Sequence, residues 1–537
     1  MRNAKFLGLF FLVIAAGLKT ILLITDRFPF NADEAIVALM ARHILLNGER
    51  PVFFYGQAYM GSLDAFLVAI GFAFFGFHVW VIRAIQIVLY LLVILFTVRL
   101  TSLIFSPSNG KWYTAALLAV PTVNVTLYTT VSLGGYGEAL LIGNLILYDG
   151  LKLLRVLEKE GFLPLRRIGS LGFWIGLGFW VNGLTAIYAL PVLLSLLWAG
   201  FQNRRVVDQK RTGIAIGIFC LAWLLGSLPW WYYAIQEGMD RLISELFGSA
   251  IATSEGNVLQ QAIRNLLNLL IFGSTVLFGL RPPWEIRWLA LPLAPFALAI
   301  WLALLGWWTR EVIGNRARLQ PWVITGIAIT FSLAFVFTPF GADPSGRYFL
   351  PLWIVLSLIA GEMTVRYIPK VRYQICLIGV LVVFNLWGMI ECAIRTPPGL
   401  TTQFDPVAVI DHRPMPDLIQ FLRERGETRG YTNYWVAYPL AFLSEEQIIF
   451  SPRLPYHPDL RYTSRDDRYP AYTQQVIKSE RVAYITTKNP ELDKILTQRF
   501  EAANIAWQET WIGDYHVFYR LSKAIHPQQI GLGEMSP

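Results

Sequence analysis

Two adjacent acids, Asp33 and Glu34, follow the first long apolar run of the chain. That run, Phe6–Ile24, is long enough to cross a bilayer as a helix, at about 1.5 Å per residue. A carboxylate held at a membrane surface can act as a general base toward an acceptor hydroxyl, while a donor carried on a lipid arrives from the bilayer. Asp33 and Glu34 are therefore candidate catalytic residues.

The same two acids could instead serve the helix that they open. Residues 35–46 predict an amphipathic helix that is too short and too polar to be a second span. Asn31 stands at the N-cap position with Glu34 three residues on, as in a capping box, and Asp33 would favour the helix dipole. Because successive helical residues point about 100° apart, one carboxylate can cap while the other faces a cavity.

Two further polar elements stand at predicted span ends. Glu138 closes the glycine-rich segment 133–138, where glycine permits close approach of a ligand or another helix. The alternative for Glu138 is a hydrated acid at the mouth of a span. Arg347, in the segment 343–351, could bind a phosphate through two parallel hydrogen bonds. The alternative for Arg347 is a snorkelling anchor at a helix end.

The composition indicates a polytopic membrane protein. Hydrophobic residues make up 55% of the 537 positions and charged residues only 15%, too few to cover the surface of a soluble domain. The net charge of +9 comes from basic residues clustered between apolar runs, so we attribute it to membrane topology and not to nucleic-acid binding. Cys220, Cys376 and Cys392 lack metal-ligand spacing, so neither a zinc site nor a disulfide framework is expected.

The basic loops orient the predicted spans, because Lys and Arg mark short cytoplasmic loops. Arg2 and Lys5 place the N-terminus in the cytoplasm. The later basic segments are 152–167, 204–211, 310–318 and 366–372. The sequence thus predicts a multi-pass protein of the plasma (inner) membrane, with its C-terminal tail outside the cytoplasm.

Counting crossings between these loops predicts about eleven transmembrane helices. One pair of short spans within 171–199 would turn at Asn182-Gly183. The apolar runs 63–77 and 266–280 are predicted to be interfacial or re-entrant, because a crossing there would place the downstream basic loops on the wrong side.

The predicted fold class is an all-α polytopic membrane domain, residues 1–394, followed by a small extracytoplasmic α/β domain, residues 395–537. The first external loop, 25–83, would carry interfacial helices. The tail is polar and alternates helix and strand patterns, with helices at 417–425 and 491–500 and extended segments at 448–451, 482–486, 505–510 and 515–521. Its aromatic run 431–435 would form either buried core or a sugar-stacking patch.

Taken in order, these motifs resemble the GT-C superfamily of membrane glycosyltransferases, in the branch of the protein O-mannosyltransferases and lipid A aminoarabinose transferases. The matching segments, all within residues 1–400, are 31–35, 55–61, 81–83, Glu138 and 347–351. The resemblance implies a cell-envelope hexosyl- or pentosyltransferase. It would move a sugar from an isoprenoid (polyprenyl) phosphate donor to an extracytoplasmic acceptor hydroxyl or amine, with inversion.

The resemblance also implies roles for individual residues. Asp33 would be the general base, Glu34 and Glu138 the other catalytic acids, and Arg347 the residue that stabilises the leaving phosphate. The remaining residues that it implies are Tyr348 and Arg83 for the donor phosphate, and Tyr55, Gln57, Tyr59 and Asp343 for the substrate.

Two departures from the family pattern concern the donor. The aminoarabinose branch has Lys-Pro-Pro where this chain has Gln57-Ala58-Tyr59, so one phosphate-binding cation is missing, and its second acid is usually Asp where this chain has Glu138. No cofactor is expected, although the three acids could bind a divalent cation. The expected partners are the lipid-linked donor, an acceptor lipid, glycan or protein, and membrane lipids, but no nucleic acid.

Three other classes of protein stay open. A transporter or flippase would carry acids or broken helices at mid-bilayer and two similar halves; no such halves are visible, and Asp64 and Asn182 are the polar residues that would bear on it. An oligosaccharide ligase with a longer lipid-linked donor would differ mainly in cavity size. A non-catalytic scaffold would bind a partner through its external domain.

The topology is directly testable with reporter fusions. Fusions after Arg211 and Arg318 should report a cytoplasmic location and fusions after Arg395 an external one, because the basic loops stay inside. A cytoplasmic tail would contradict the placement of Asp33, Glu138 and Arg347 on one membrane face.

Overall fold

The computed structural model describes residues 2–105, 109–202, 209–246, 257–314, 318–343, 345–395, 399–403, 405, 407–457, 460 and 462–532. Pro344 and parts of the predicted loops 204–211 and 310–318 lie outside these residues. The chain forms two compact units, each built from several segments. The first unit comprises Met1–Thr25, Ala58–Asp64 and Arg83–Ala393, and the second comprises Asp26–Gln57, Ala65–Ile82 and Ile394–Pro537.

These compact units differ from the predicted domains in the unit to which most of the first loop belongs. Segments 26–57 and 65–82, predicted to belong with the membrane domain, form one compact body with the tail. The physical reason is the packing of the helix Ala32–Leu46, the first-loop helix, against the helix Tyr434–Leu443, the tail helix. The domain boundary between residues 394 and 395 stays a prediction.

The first unit consists mainly of helices, of which Val79–Ile104 begins in the second unit. Their bounds are Arg2–Ile24, Val79–Ile104, Gly110–Ala119, Val123–Tyr128, Tyr136–Glu160, Leu165–Val181, Ala186–Gln202, Gln209–Gly226, Leu228–Glu237, Met239–Leu246, Val258–Leu267, Ser274–Leu277, Ala294–Gly314, Leu319–Phe337, Leu350–Tyr367 and Val371–Ala393. Short 3₁₀ segments lie at Gly183–Thr185, Pro339–Ala342 and Arg347–Phe349, and a π-helical segment at Asn268–Gly273.

Within the described residues, seven helices are long and apolar enough to cross a membrane. An eighth span results if Arg211–Gly226 and Leu228–Glu237, which meet at a bend of 63°, form one broken span. These helices support an integral membrane protein, but they do not confirm the predicted count of eleven. The predicted span near 112–130 consists of two short helices, because Pro121 cannot continue the first.

The predicted turn at Asn182-Gly183 is present. The helix Leu165–Val181 starts beside Asp149, which accepts a hydrogen bond from Ser170 Oγ at 2.5 Å. It ends beside Gly135, since a Cβ there would lie 3.6 Å from the carbonyl oxygen of Val181. This helix therefore runs antiparallel to Tyr136–Glu160.

The following helix returns along Tyr136–Glu160 in the parallel direction. At the turn, the side-chain oxygen of Asn182 accepts a hydrogen bond from the Leu184 amide at 3.0 Å, and its amide nitrogen lies 3.5 Å from the Gly134 carbonyl. Further along, Tyr188 packs directly against Gly143. Asn182, one of the polar residues relevant to a transporter, thus has a structural role in ending one helix and starting the next.

Glycines allow the helix Leu165–Val181 to pack closely on its neighbour, the helix Gln209–Gly226. A Cβ at Gly172 would lie 2.5 Å from the Phe219 carbonyl oxygen, and one at Gly176 would lie 2.1 Å from the Trp223 carbonyl oxygen. The two backbones are therefore in contact along a face of small residues, the arrangement that drives helix association in a membrane.

A buried cation stabilises the first span. Lys19 is only 2% exposed, and its Nζ donates hydrogen bonds to the hydroxyls of Thr129 and Thr130, both at 2.7 Å. It also contacts the carbonyl oxygens of Thr126 and Thr129 at 3.3 and 3.0 Å. These carbonyls lie at the end of Val123–Tyr128, so the ammonium group caps the negative end of that helix.

The strands are β1 (Phe53–Phe54), β2 (Gln57–Gly61), β3 (Arg429–Tyr431), β4 (Ile449–Ser451), β5 (Ala483–Thr487), β6 (Gln508–Ile512) and β7 (Tyr515–Tyr519). The tail contains a five-stranded sheet in the order β4-β3-β5-β7-β6, in which β3 pairs parallel with β4 and β5, and β7 pairs antiparallel with β5 and β6. The remaining helices are Leu63–Phe75, Met415–Arg425, Pro470–Ile477 and Pro490–Ala502, with 3₁₀ segments at Ser464–Asp466 and Pro527–Ile530.

The small C-terminal α/β domain is therefore present as predicted. Both predicted tail helices form, and the predicted extended segments correspond to β4, β5, β6 and β7, although β6 starts three residues later than expected. The sequence patterns missed β3, the tail helix and Pro470–Ile477. The run 431–435 belongs to the core, since Tyr431 is 1% and Tyr434 3% exposed, and Asn433 caps the tail helix by accepting from the Trp435 amide at 3.0 Å.

The first-loop helix forms where it was predicted, with Asn31 as its N-cap. The side-chain oxygen of Asn31 accepts a hydrogen bond from the Glu34 amide at 3.0 Å. The predicted amphipathic character is wrong, because the helix is buried along nearly its whole length and only its last residues, Leu45 and Leu46, are exposed. The tail helix packs against it and covers part of its surface.

The glycine contact provides a stability test. Gly176→Val should lower the apparent melting temperature in detergent, because its side chain would push two touching backbones apart at a cost of about 1–3 kcal/mol. The matched control is Gly217→Val on the neighbouring helix, where a Cβ meets nothing within 4 Å. Equal melting temperatures for the two variants would contradict the close packing.

Candidate active site

Asp33 is the first-loop acid that remains accessible. Its carboxylate accepts a hydrogen bond from the Tyr434 hydroxyl, and its side chain is partly exposed. Burial raises the pKa of Tyr434 well above its usual value, and the negative charge of Asp33 adds to this effect, so the phenol stays protonated and donates. Glu34 is fully buried. Of the two acids, Asp33 is therefore the one suited to meet a substrate.

Two charged residues of the tail lie near Asp33. Burial raises the pKa of Asp466 to about 7, while Arg468 lowers it in part and the charge of Asp33 raises it. The Arg468 guanidinium carbon lies 5.6 Å from the centre of the Tyr434 ring. With the Gln57 amide oriented so that its oxygen faces this guanidinium, the oxygen lies 2.8 Å from both terminal nitrogens. Gln57, predicted to bind substrate, thus contacts a cation from the tail.

Tyr55, also predicted to bind substrate, belongs to a polar network in the second unit. Its hydroxyl donates to Glu49 and lies 3.0 Å from His43 Nδ1. Glu49 accepts a second hydrogen bond from Tyr469 at 2.8 Å, and His43 Nε2 lies 3.0 Å from Glu446. Burial acts to raise the pKa of Glu446, but its contacts with His43, Tyr472 and Arg42 outweigh this effect, so the pKa is lowered to about 2. The network joins the first loop to the tail.

In the first unit, Arg347 pairs with Asp343. The Nε of Arg347 lies 2.6 Å from Asp343 Oδ2, Nη2 contacts the same oxygen, and the Ser345 amide donates to Oδ1 at 2.8 Å. The Arg347 side chain remains 36% exposed, and its guanidinium carbon lies 5.6 Å from the Tyr348 ring centre. The contact with Asp343 orients the guanidinium. The phosphate-binding role of Arg347 and the alternative of a snorkelling anchor both stay predictions.

An apolar cavity of about 390 Å³ lies in the first unit next to this ion pair. Two of the predicted site residues, Tyr59 and Tyr348, contribute to its wall, and the other polar lining residues are Tyr136, Asn182, Thr330 and Thr338. The apolar lining residues include Ile187, Leu190, Phe331, Phe335 and Phe340. Such a cavity suits a hydrocarbon chain with a polar group at one end.

Glu138 is buried, so the alternative of a hydrated acid at a span mouth is wrong. It is 2% exposed and lies beside Asp64, also 2% exposed. Asp64 accepts hydrogen bonds from Gln86 Nε2 at 2.9 Å and from the Ser132 hydroxyl. Arg83 is buried on Val79–Ile104, at 6% exposure. The catalytic role of Glu138 and the phosphate-binding role of Arg83 stay predictions.

The predicted acids do not form a metal site within one unit, because Asp33 and Glu34 belong to the second unit and Glu138 to the first. In the described part of the chain, no group of three or more His, Cys, Asp or Glu side chains fits a metal ion. A divalent cation therefore stays a prediction, as does the preference for metal-independent chemistry.

Sequence reasoning did not include Tyr434, Asp466 and Arg468 among the site residues. Tyr434 was visible only as part of an aromatic run, and residues 465–468 only as four consecutive charges in a tail rich in Tyr and Pro. Neither pattern indicates proximity to Asp33, since the contact between Asp33 and Tyr434 joins positions 401 residues apart.

The helical first unit and the small sheet domain of the tail form a fold that is similar to solved structures of ArnT and of an oligosaccharyltransferase, which agrees with the predicted resemblance to the GT-C superfamily. The structure of ArnT from Cupriavidus metallidurans in the apo state matches with a TM-score of 0.59 at 11% identity, over 96% of this chain and 98% of that chain. Its structure bound to undecaprenyl phosphate matches with a TM-score of 0.57 at 12% identity, over 95% and 97%.

The oligosaccharyltransferase of Archaeoglobus fulgidus, in complex with zinc and sulfate, matches with a TM-score of 0.53 at 12% identity. This match covers 91% of the present chain and 69% of the oligosaccharyltransferase. No protein-family model and no curated protein sequence matches the chain. At these identities the similarity establishes the fold, and the activity has to be argued from the site.

Proposed function

We propose that this protein transfers a sugar from an isoprenoid-phosphate donor to an acceptor hydroxyl or amine on the extracytoplasmic face, with inversion at the anomeric carbon. The proposal rests on the apolar cavity of about 390 Å³, which has Tyr348 in its wall. Arg347 directly precedes Tyr348 in the chain, and its guanidinium carbon lies 5.6 Å from the Tyr348 ring centre. An apolar space suits an isoprenoid tail, and a partly exposed guanidinium beside it suits the phosphate. The ArnT structure with undecaprenyl phosphate supports this assignment, since the same fold holds an isoprenoid phosphate there.

Arg347 is proposed to bind the phosphate of the donor and of the leaving group. Asp343 engages Nε and Nη2 of Arg347, so a phosphate would approach the guanidinium from Nη1. In the free protein Asp343 holds the guanidinium in place and balances its charge. The arginine is therefore oriented before the donor arrives, which reduces the entropy lost on binding.

Asp33 is proposed to be the general base. A sugar phosphate is already activated, so the protein must supply a base, stabilise the leaving group and exclude water. Asp33 takes the proton of the acceptor as the acceptor oxygen or nitrogen attacks the anomeric carbon, and the bond from that carbon to the phosphate oxygen breaks. A single displacement of this kind inverts the anomeric centre. The isoprenyl phosphate leaves with the bonding electron pair and stays paired with Arg347.

Removal of the guanidinium tests donor binding. Arg347→Ala should weaken binding of undecaprenyl phosphate roughly 10- to 100-fold, because one charge-assisted contact contributes about 1.5–3 kcal/mol. Arg347→Lys should restore binding only in part, since an ammonium lacks the planar fork. Binding is measured by native mass spectrometry of the purified full-length protein, with undecaprenol as the probe that lacks the phosphate.

The matched control for this measurement is Arg366→Ala. Arg366 lies toward the other end of the same helical segment and also pairs with an acid, Glu311, at 2.9 Å. Undecaprenol should bind all variants alike, because its affinity depends on the apolar cavity. If Arg347→Ala and Arg366→Ala weakened the binding of undecaprenyl phosphate equally, Arg347 would be interpreted as a helix-end anchor.

The base is tested by transfer itself. Asp33→Asn should abolish transfer of radiolabelled sugar from isoprenoid-phosphate donors to membrane-extract acceptors while donor binding persists, because Asn keeps the shape but cannot take a proton. Glu34→Gln should be milder, since Glu34 is fully buried and Gln keeps the size of its side chain.

Two outcomes would change the assignment. Near wild-type turnover in Asp33→Asn, together with an inactive Glu138→Gln, would move the base to Glu138. If the wild-type protein transferred sugar from none of the isoprenoid-phosphate donors tested, the transporter or scaffold alternatives would be favoured.

A further inference from the structure

We propose, on the basis of the proposed function, that Tyr434 of the tail is a positioning residue for Asp33, so that the tail completes the base site. The Tyr434 hydroxyl donates to Oδ1 of the Asp33 carboxylate. That contact leaves Oδ2 as the oxygen that takes the proton of the acceptor. Because Asp33 belongs to the first loop and Tyr434 to the tail, the geometry of the base depends on both segments of the second unit.

The tail helix holds Tyr434 rigidly. Asn433 caps the helix start, and its side-chain amide donates to the Thr487 hydroxyl at 2.8 Å, which ties the helix start to β5. The Tyr434 ring makes edge contacts with Trp435 and Tyr438, at centroid distances of 5.2 and 5.5 Å. A side chain that is 3% exposed and packed on two rings has little rotational freedom, so the direction of its hydroxyl is set.

The charges around the pair favour the proposed direction of the hydrogen bond. The titratable and charged groups that act on Asp33 and Tyr434 include Asp466, Arg468 and Tyr438 from the tail, with Glu34 adjacent on the first-loop helix. Burial keeps the Tyr434 phenol protonated, so it serves as donor, and a donor stabilises the ionised form of a carboxylate. The hydrogen bond thus orients the base.

The test uses Tyr434→Phe in the full-length protein, with Tyr484→Phe as the matched control. Tyr484 is a fully buried tyrosine of the same unit, and its hydroxyl donates to the Ile525 carbonyl at 2.7 Å. Both variants lose one buried hydroxyl, but only Tyr434→Phe removes a contact to Asp33. A merely structural role for Tyr434 would therefore affect both variants alike.

The first readout does not require catalysis. A hydrophobic carbodiimide labels protonated carboxyl groups, and peptide mass spectrometry resolves Asp33 from Glu34 and Asp466. In Tyr434→Phe the pH of half-maximal labelling at Asp33 should rise by about one unit, because the carboxylate has lost a donor. The control should follow the wild-type labelling curve.

The second readout is the pH profile of transfer. In Tyr434→Phe, the acid limb of the kcat profile should move to higher pH. At a pH below that limb, kcat should therefore be roughly 10-fold lower than in the wild type, with little change in the KM for donor. A labelling curve at Asp33 identical in the wild type and both variants would overturn the inference, whether or not the protein transfers sugar. A shifted curve in a protein without transferase activity would keep the Tyr434 contact and reject only the proposed reaction.

Discussion

The packing of the first-loop helix against the tail helix is the contact on which the candidate base depends. An isolated helix of the length of Ala32–Leu46 would be marginally stable in water, so its burial by the tail provides most of its stability. The burial also decides the fate of its two acids, because Glu34 turns into the interior and Asp33 remains partly exposed at the hydroxyl of Tyr434. The tail, which the sequence presents as an accessory domain, thus contributes a contact to the proposed base, Asp33.

The first unit obeys a different constraint, the requirement that polar groups within a membrane find partners inside the protein. Lys19 binds threonine oxygens, and Asp64 accepts from an amide and a hydroxyl while lying beside Glu138. Lys19 and Asp64 thus have hydrogen-bond partners within the protein. Arg347 differs from them, because it keeps 36% of its side chain exposed beside an apolar cavity while Asp343 orients it.

The departure at Gln57 illustrates how a local motif can mislead. The sequence shows a cation missing from the first loop, whereas the structure brings the Arg468 guanidinium to the Gln57 amide. The guanidinium beside Gln57 therefore comes from a segment more than 400 positions away. A motif comparison confined to residues 1–400 could not include it.

The sequence by itself determined the features that depend on local pattern. Apolar runs predicted most of the long helices, and Asn31 and Asn182 marked the places where helices start. The alternating pattern of the tail predicted four of the five strands of its sheet. Only the tertiary structure decided which acids are buried, that the first-loop helix is covered, and that Tyr434 and Arg468 lie near Asp33. The physical reason is the sequence separation over which each interaction acts. Helix caps and hydrophobic periodicity involve residues a few positions apart, whereas burial and charge pairing depend on which distant segments pack together.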